Sequence, residues 1–322
     1  MNTERRSITR PDGRDIDFLV AGPADGLPLV LHEGTPIGLV LYPPTVQAAR
    51  IRGLRVILAA RPGYEGSTPR PGRRVVDVAQ DTAAVLDELG ADTFVTAGWS
   101  GGGPHALACA AALPGRCLAA ASIAGVAPYQ AKGLDWLAGM GPENIAEFGA
   151  AVRGEAALTA FLDHEAVMLS TLTGESVAKS LGGLVIEADQ AVLTGEFADY
   201  VAAGLRASMN SGIAGWRDDD LAFVEDWGFS LGGEPPGGEP PDGEPPDGEP
   251  PDGEPPAQAP APVAVWQGDQ DRMVPFAHGQ WLAANIQGAR VHLMPGDGHL
   301  SMTVSAFDRI LDDLLDLAGL TA

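Results

Sequence analysis

Six short apolar runs, each closed by turn residues, constrain this chain more than any other feature. They are Leu27–His32, Leu54–Ala60, Thr93–Gly98, Cys117–Ile123, Val263–Gln267 and Val291–Met294. Runs of this length suit strands buried on both faces of a parallel sheet. Helical spacing of apolar residues appears over Thr45–Arg52, Val76–Leu89, His105–Ala112, Phe276–Ile286 and Ser305–Leu317. The alternation predicts an α/β fold, a central mostly parallel sheet flanked by helices. Ser7–Ala21, split by Pro11–Gly13, reads as an antiparallel hairpin at the sheet edge. From Ala127 to Trp227 the strand patterns stop. Stretches such as Ala156–Leu172 and Phe197–Met209 read there as helices inserted into the sheet as a cap. The expected division is a core of 1–126 and 257–322, a cap of 127–217, and a helix returning to the core within 218–231.

One segment breaks the pattern. Residues 232–256 read GGEPPGGEPPDGEPPDGEPPDGEPP, with nothing apolar apart from proline. No face of it can be buried, so it is expected to be disordered. It reads as an insert in the core, because the chemistry below draws on residues from both sides of it. The whole chain of 322 residues carries 43 acidic against 20 basic residues. A formal charge of −23 repels phosphate backbones and anionic membranes, so neither nucleic acid nor membrane is expected as a partner. Met1–Asp17 has no apolar signal-peptide core, and the expected location is the cytoplasm. Cys109 and Cys117 lie in an apolar stretch and read as reduced, buried thiols. Metal and cofactor motifs are missing: there is no H-E-x-x-H, no paired C-x-x-C, and Gly101-Gly102-Gly103 lacks the lysine of a phosphate loop.

Gly98-Trp99-Ser100-Gly101-Gly102 follows an apolar run and opens a helix pattern. A serine on a sharp strand-to-helix turn has a strained backbone, and neighbours without side chains let the turn close. The helix start offers N–H groups and a positive dipole end to a developing oxyanion. A glycine-rich turn with an incidental serine would lack that context.

With this pentapeptide the chain resembles serine hydrolases of the α/β-hydrolase fold. The resemblance is to the capped branch that includes esterases, lactonases, proline iminopeptidase-like peptidases and C–C hydrolases, and it covers residues 14–319 apart from the repeat. It implies the chain order nucleophile, acid, histidine, with Ser100 as nucleophile. Gly268-Asp269-Gln270-Asp271-Arg272-Met273-Val274-Pro275 resembles the family's G-x-x-D-x-x-V-P loop, which implies Asp271 as the acid and leaves Asp269 as competitor. Gly296-Asp297-Gly298-His299 resembles its G-x-G-H loop and implies His299 as base; imidazole titrates near neutrality, which suits that task. His32, His105, His164, His278 and His292 lack this context and read as structural. Leu31-His32-Glu33-Gly34-Thr35-Pro36 resembles the H-G-x-P loop. It implies backbone oxyanion donors at Thr35 and Gly101, with Gly34 as the alternative to Thr35. Glu33 stands where the family has histidine and reads as an ion-pair partner or a supporting acceptor. Ala60–Ser67 resembles the D-x-x-G-x-G-x-S stretch, with Ala60 replacing aspartate and Glu65 replacing glycine.

Trp99, Trp136, Phe161 and Tyr200 are the candidate pocket aromatics. The implied activity is hydrolysis of a small ester, thioester or lactone without a cofactor, the small-molecule substrate being the expected partner. An aminopeptidase of the proline iminopeptidase kind is the alternative, using cap carboxylates such as Glu143, Glu147 and Glu196 to hold an ammonium. A non-catalytic small-molecule receptor on the same fold is a second. Monomer and homodimer remain open at this stage.

Overall fold

The structure, a computed structural model, describes residues 3–231 and 260–320. The repeat 232–256 lies outside the described residues. Eight strands form one sheet: β1 (Thr3–Thr9), β2 (Asp15–Ala21), β3 (Leu27–His32), β4 (Leu54–Ala59), β5 (Phe94–Trp99), β6 (Cys117–Ile123), β7 (Val263–Gly268) and β8 (Arg290–Met294). Their order is β1-β2-β4-β3-β5-β6-β7-β8. The β1–β2 and β2–β4 pairs are antiparallel, and every later pair is parallel. The expected hairpin is therefore present at the sheet edge.

Alternate residues of each strand feed two cores. On one face Leu29, Leu31, Val56, Val95 and Ala121 meet Ala49 of α1 (Pro43–Ile51) and Met302, Ile310 and Leu314 of α11 (His299–Leu317). On the other, Val30, Ile57, Phe94 and Val265 meet Val85 of α2 (Val78–Glu88), Leu107 of α3 (Gly103–Ala112) and Leu282 of α10 (Phe276–Asn285). A sheet covered on both faces accounts for runs without polar alternation.

Between β6 and β7 come α4 (Pro142–Val152), α5 (Glu155–Leu169), α6 (Gly174–Ser180), α7 (Glu187–Val192), α8 (Gly195–Ser208) and α9 (Ala214–Val224). Two helices start earlier than the sequence suggests. The helix expected at Asp218–Asp226 begins at Ala214, so residue 217 falls inside it. Gly215 reads as a breaker, but it is the residue on which the Tyr64 ring packs. The last helix begins at His299 and not near Ser305. Ser301, Thr303 and Ser305 make its first turns look polar, yet they are bonded locally or from α7, as described below. Leu231 and Pro260, which flank the undescribed segment, line one cleft with Leu107 and Ala110.

Candidate active site

Ser100 sits where β5 passes into a 3₁₀ turn and then α3. Its φ of +56° lies in the left-handed region that non-glycine residues rarely enter. The turn closes because its glycines carry no Cβ: one on Gly98 would strike the Gly102 carbonyl, and one on Gly102 the His32 carbonyl. Both glycines of the motif are thus required by packing, and the serine is presented at the end of a central strand.

Asp271 follows β7 and is buried. Its Oδ1 accepts the backbone N–H of Met273 at 2.8 Å and of Val274 at 2.9 Å. Its Oδ2 accepts the Gln267 amide at 3.1 Å and lies 2.7 Å from Nδ1 of His299. A carboxylate so bonded can only accept, so Nδ1 carries the proton. His299 Nε2 is then the acceptor nitrogen, and it is buried with no hydrogen-bond partner. Asp269 accepts instead from the Gln270 amide at 3.0 Å in its own turn and from the Gly296 N–H at 2.8 Å in the loop that precedes His299.

The backbone of His299 is held from the inserted helices. Asp189 on α7 is fully buried, and its Oδ1 accepts the N–H groups of Leu300 at 2.9 Å and Ser301 at 2.8 Å. It thereby caps α11 from outside, satisfying donors that a helix start leaves unpaired. The Ser301 hydroxyl accepts the Gly298 N–H at 2.8 Å. Nothing in the sequence near Asp189 points to this role.

A second buried cluster fixes the loop after β3. Asp219 on α9 accepts from Arg61 at 2.7 Å, Arg73 at 2.7 Å, Tyr64 at 2.9 Å and the Thr35 hydroxyl at 2.9 Å. Burial alone would raise its pKa, but Arg61, Arg73 and His105 hold it well below the usual carboxylate range. Arg61 also donates to the Glu33 carbonyl at 2.7 Å. The altered stretch Ala60–Ser67 therefore supplies Arg61 and Tyr64 to this cluster. Glu65, in the glycine position, has φ of +49° and an ion pair with Arg5 at 3.2 Å.

Gly34 lies against Ser100: a Cβ there would be 3.2 Å from Ser100 Cβ. One on Gly101 would be 2.5 Å from Thr35 Oγ1. The Thr35 backbone N–H makes no hydrogen bond among the described residues, as an oxyanion donor would require.

Ser100, His299, Gly34 and Thr35 line one cavity of about 170 Å³. Trp99 and Phe161 line it too. Trp136 does not: its indole N–H donates to the Ala127 carbonyl at 2.7 Å, and its ring packs edge-on against Phe148 and His278 in the core. Tyr200 does not either. It lines a second cavity, on the other side of Trp99, and donates its hydroxyl to Glu33. Glu33 is thus an acceptor, and Arg61 meets its backbone and not its carboxylate.

The roof of the catalytic cavity is acidic. Glu143, Glu147 and Glu165 line it, and no lysine or arginine does. Glu147 accepts the Trp216 indole N–H at 2.6 Å. Its neighbour Asp220 lines a smaller cavity shared with Ser100, Gly101 and Glu147; among the described residues no N–H donor reaches its oxygens, and its carboxyl pairs with that of Glu147. Burial pushes both carboxyls up, and Glu147 adds to the effect at Asp220. Glu196 does not line this cavity.

Of the remaining histidines, burial lowers His105 and His278 to about 4 and holds His32 far below its ordinary value. His292 stacks on Trp266 and bonds Asp313 at 2.9 Å. Both cysteines are buried free thiols, Cys109 pushed up to about 12 by burial.

The family model for the alpha/beta hydrolase fold matches residues 28–306. The chain belongs to the α/β-hydrolase fold family. Among known proteins, a non-heme chloroperoxidase from Streptomyces lividans is 34% identical over 148 residues, 45% of this chain and 54% of that protein. The chain thus aligns with about half the length of that relative. Among solved structures, a hydrolase from Pseudomonas aeruginosa PA01 superposes with a TM-score of 0.63 at 20% identity over 98% of both chains. An enol-lactonase from Burkholderia xenovorans LB400 gives 0.63 at 18% identity, over 97% of this chain and all of that one. At such identities these two support the fold alone. No helix among the described residues is long and apolar enough to cross a membrane.

Proposed function

We propose that this α/β-hydrolase cleaves a small ester, thioester or lactone by a two-step serine mechanism. His299 Nε2 takes the proton of Ser100 as its Oγ attacks the substrate carbonyl. Asp271 keeps the proton on Nδ1 and stabilises the imidazolium that forms. The N–H groups of Gly101 and Thr35 receive the oxyanion, and the alcohol or thiol leaves with the proton from Nε2. Water then attacks the acyl-enzyme with His299 as base again. The single observation that carries this reading is Ser100, held at φ +56° and sharing a cavity with a His299 whose Nδ1 is fixed on Asp271 at 2.7 Å.

Helices α4–α9 read as a cap on the core, supported by the cavity residues they supply, including Glu143, Glu147 and Phe161. The two free thiols support a reducing compartment, and we place the enzyme in the cytoplasm. The test is a panel of short acyl esters, thioesters and lactones. Wild type turns over at least one, and Ser100→Ala, which removes only a hydroxyl, retains no more than a trace of kcat. Substantial turnover by the alanine variant would dismiss the nucleophile.

The acidic roof favours a second reading, a substrate that carries an ammonium group, as in an aminopeptidase. Glu143, Glu147 and Glu165 stand over Ser100 with no cationic side chain among the lining residues. Prolyl-arylamides compared with uncharged acyl esters decide it. Higher kcat/KM on the arylamide, lost in Glu147→Gln, selects the peptidase reading, and the reverse order selects the esterase.

A further inference from the structure

The cavity on the far side of Trp99 is separate from the catalytic one, and the mechanism above makes no use of it. Its volume is about 150 Å³, the size of an engineered apolar cavity that accepts benzene. It opens between the start of α1, the first turns of α11 and the α8 helix, with Tyr42, Phe197, Tyr200, Trp99 and Phe307 among its lining residues. Three of these rings form a cluster: Tyr42 lies 5.3 Å from Phe197 and 5.1 Å from Tyr200, and Phe197 lies 6.0 Å from Tyr200.

Two carboxyls line the cavity: Asp308, exposed and paired with Arg52 at 2.7 Å, and Glu33, which stands beside the rings. Glu33 is half-buried, accepts the Tyr200 hydroxyl, and has no ion pair through its carboxylate among the described residues. Burial pushes it up to about 7, although Tyr200 and the Arg61 guanidinium both act to lower it. No lysine or arginine lines the cavity, and His32, which does, is held neutral by burial. Aromatic faces present negative quadrupoles, and the carboxyl among them adds negative charge as it ionises, which a bound cation favours. Together they recognise a cation whose surface is mostly carbon.

We propose that this second cavity is a binding site for a small alkylammonium group, with Glu33 as counter-ion and Tyr42, Phe197 and Tyr200 as the aromatic walls. Such a ligand exchanges favourable contact with the ring faces for the water it sheds, which a compact, strongly hydrated lysine-type ammonium does less well. Because Trp99 divides the two cavities and stacks 5.4 Å from the His299 ring, an occupant also packs against the indole next to the nucleophile. The site is independent of which substrate Ser100 cleaves.

The test is calorimetric titration of the full chain with choline and with 3,3-dimethylbutan-1-ol, which has the same shape and no charge. Choline should saturate at one site, at least about tenfold tighter than the alcohol, a preference that cation–aromatic and charge-paired contacts supply. Glu33→Gln should erase that preference, and Tyr42→Leu should weaken choline by at least about fivefold, should the glutamine variant fail to fold. Glu147→Gln should leave choline binding unchanged. Equal affinity for the two ligands overturns the proposal, as does a preference that survives in Glu33→Gln or a choline affinity unchanged in Tyr42→Leu. Loss of binding in Glu147→Gln moves the cation to the catalytic cavity and equally overturns it.

Discussion

On the sheet side of the catalytic cavity, Asp271 has both carboxylate oxygens bonded, two of the donors being backbone N–H groups of its own loop. On the helical side, Asp220 is just as buried, and among the described residues no N–H donor reaches its oxygens, which meet the Glu147 carboxyl instead. The same side chain serves opposite ends. Backbone donors spend the bonding capacity of Asp271 on holding one imidazole in one tautomer. Asp220 and Glu147 instead face each other next to Ser100, Glu147 also accepting from the Trp216 indole, with a proton held between two buried carboxyls. The floor of the cavity is preorganised for chemistry, and its roof is left open to a ligand's charge.

Breaking the floor should have the largest effect. Asp271→Asn leaves the geometry but reverses the imidazole tautomer, and kcat on the best ester should fall on the order of 10⁴-fold. Asp269→Asn, whose amide oxygen can still accept the Gly296 N–H, should cost far less. A deeper loss at Asp269 would reverse the assignment of the acid.

The next effect lies between the two walls. Asp219→Ala removes the shared partner of Arg61 and Arg73 and leaves two buried cations without it. Stability in urea should drop by about 3–5 kcal/mol, as for other broken buried pairs. The Thr35 hydroxyl loses its acceptor as well, so kcat should fall with KM little changed. A variant as stable as wild type would show that the cluster is not structural.

The roof responds to pH with a definite sign. Its two carboxyls hold their proton in the fold above the range where an unfolded chain releases it. Below about pH 3 both states are protonated and nothing is lost. As pH rises the unfolded state gains by ionising, and the fold is penalised until the buried pair itself ionises. Asp220→Asn should therefore stabilise the protein near pH 7 and not at pH 3. Thermal melts at the two pH values check this. An equal effect at both would mean that the pair is not proton-linked.

The smallest expected change is far from both walls. Leu231 and Pro260 meet in a cleft ahead of β7, at the end of the strand opposite Asp271. Replacing 232–256 by a short Gly-Ser loop should leave kcat/KM within about threefold, since loop closure changes by only about 0.6 kcal/mol per doubling of length. A large loss with the fold intact would bring the repeat to the active site.

Much of the floor was legible in the sequence, because its elements follow local rules. A strand end, two compulsory glycines and a histidine loop leave marks within a few residues of Ser100 and His299. The mostly parallel, two-sided sheet followed from runs such as Leu54–Ala60 in the same way, and its strand order did not. The roof was not legible. Asp189 caps α11 across 111 positions of sequence, and Asp219 meets Arg61 across 158. Neither has a periodicity or a motif, because a carboxylate's partner in a helical insertion is decided by packing alone. Aromatic content misled for the same reason: Trp136 went to the core and Tyr200 to the second cavity, while Phe161 faces the nucleophile's cavity as expected. The last helix was read too short because the donors that start it are satisfied from α7.

The central claim is that the floor carries an activated serine. Incubating the full chain with a fluorophosphonate, followed by intact-mass measurement and peptide mapping, tests it directly. The account predicts one adduct per chain, on Ser100, with none formed by Ser100→Ala. No adduct on the wild type, or an adduct that persists in the alanine variant, would contradict it.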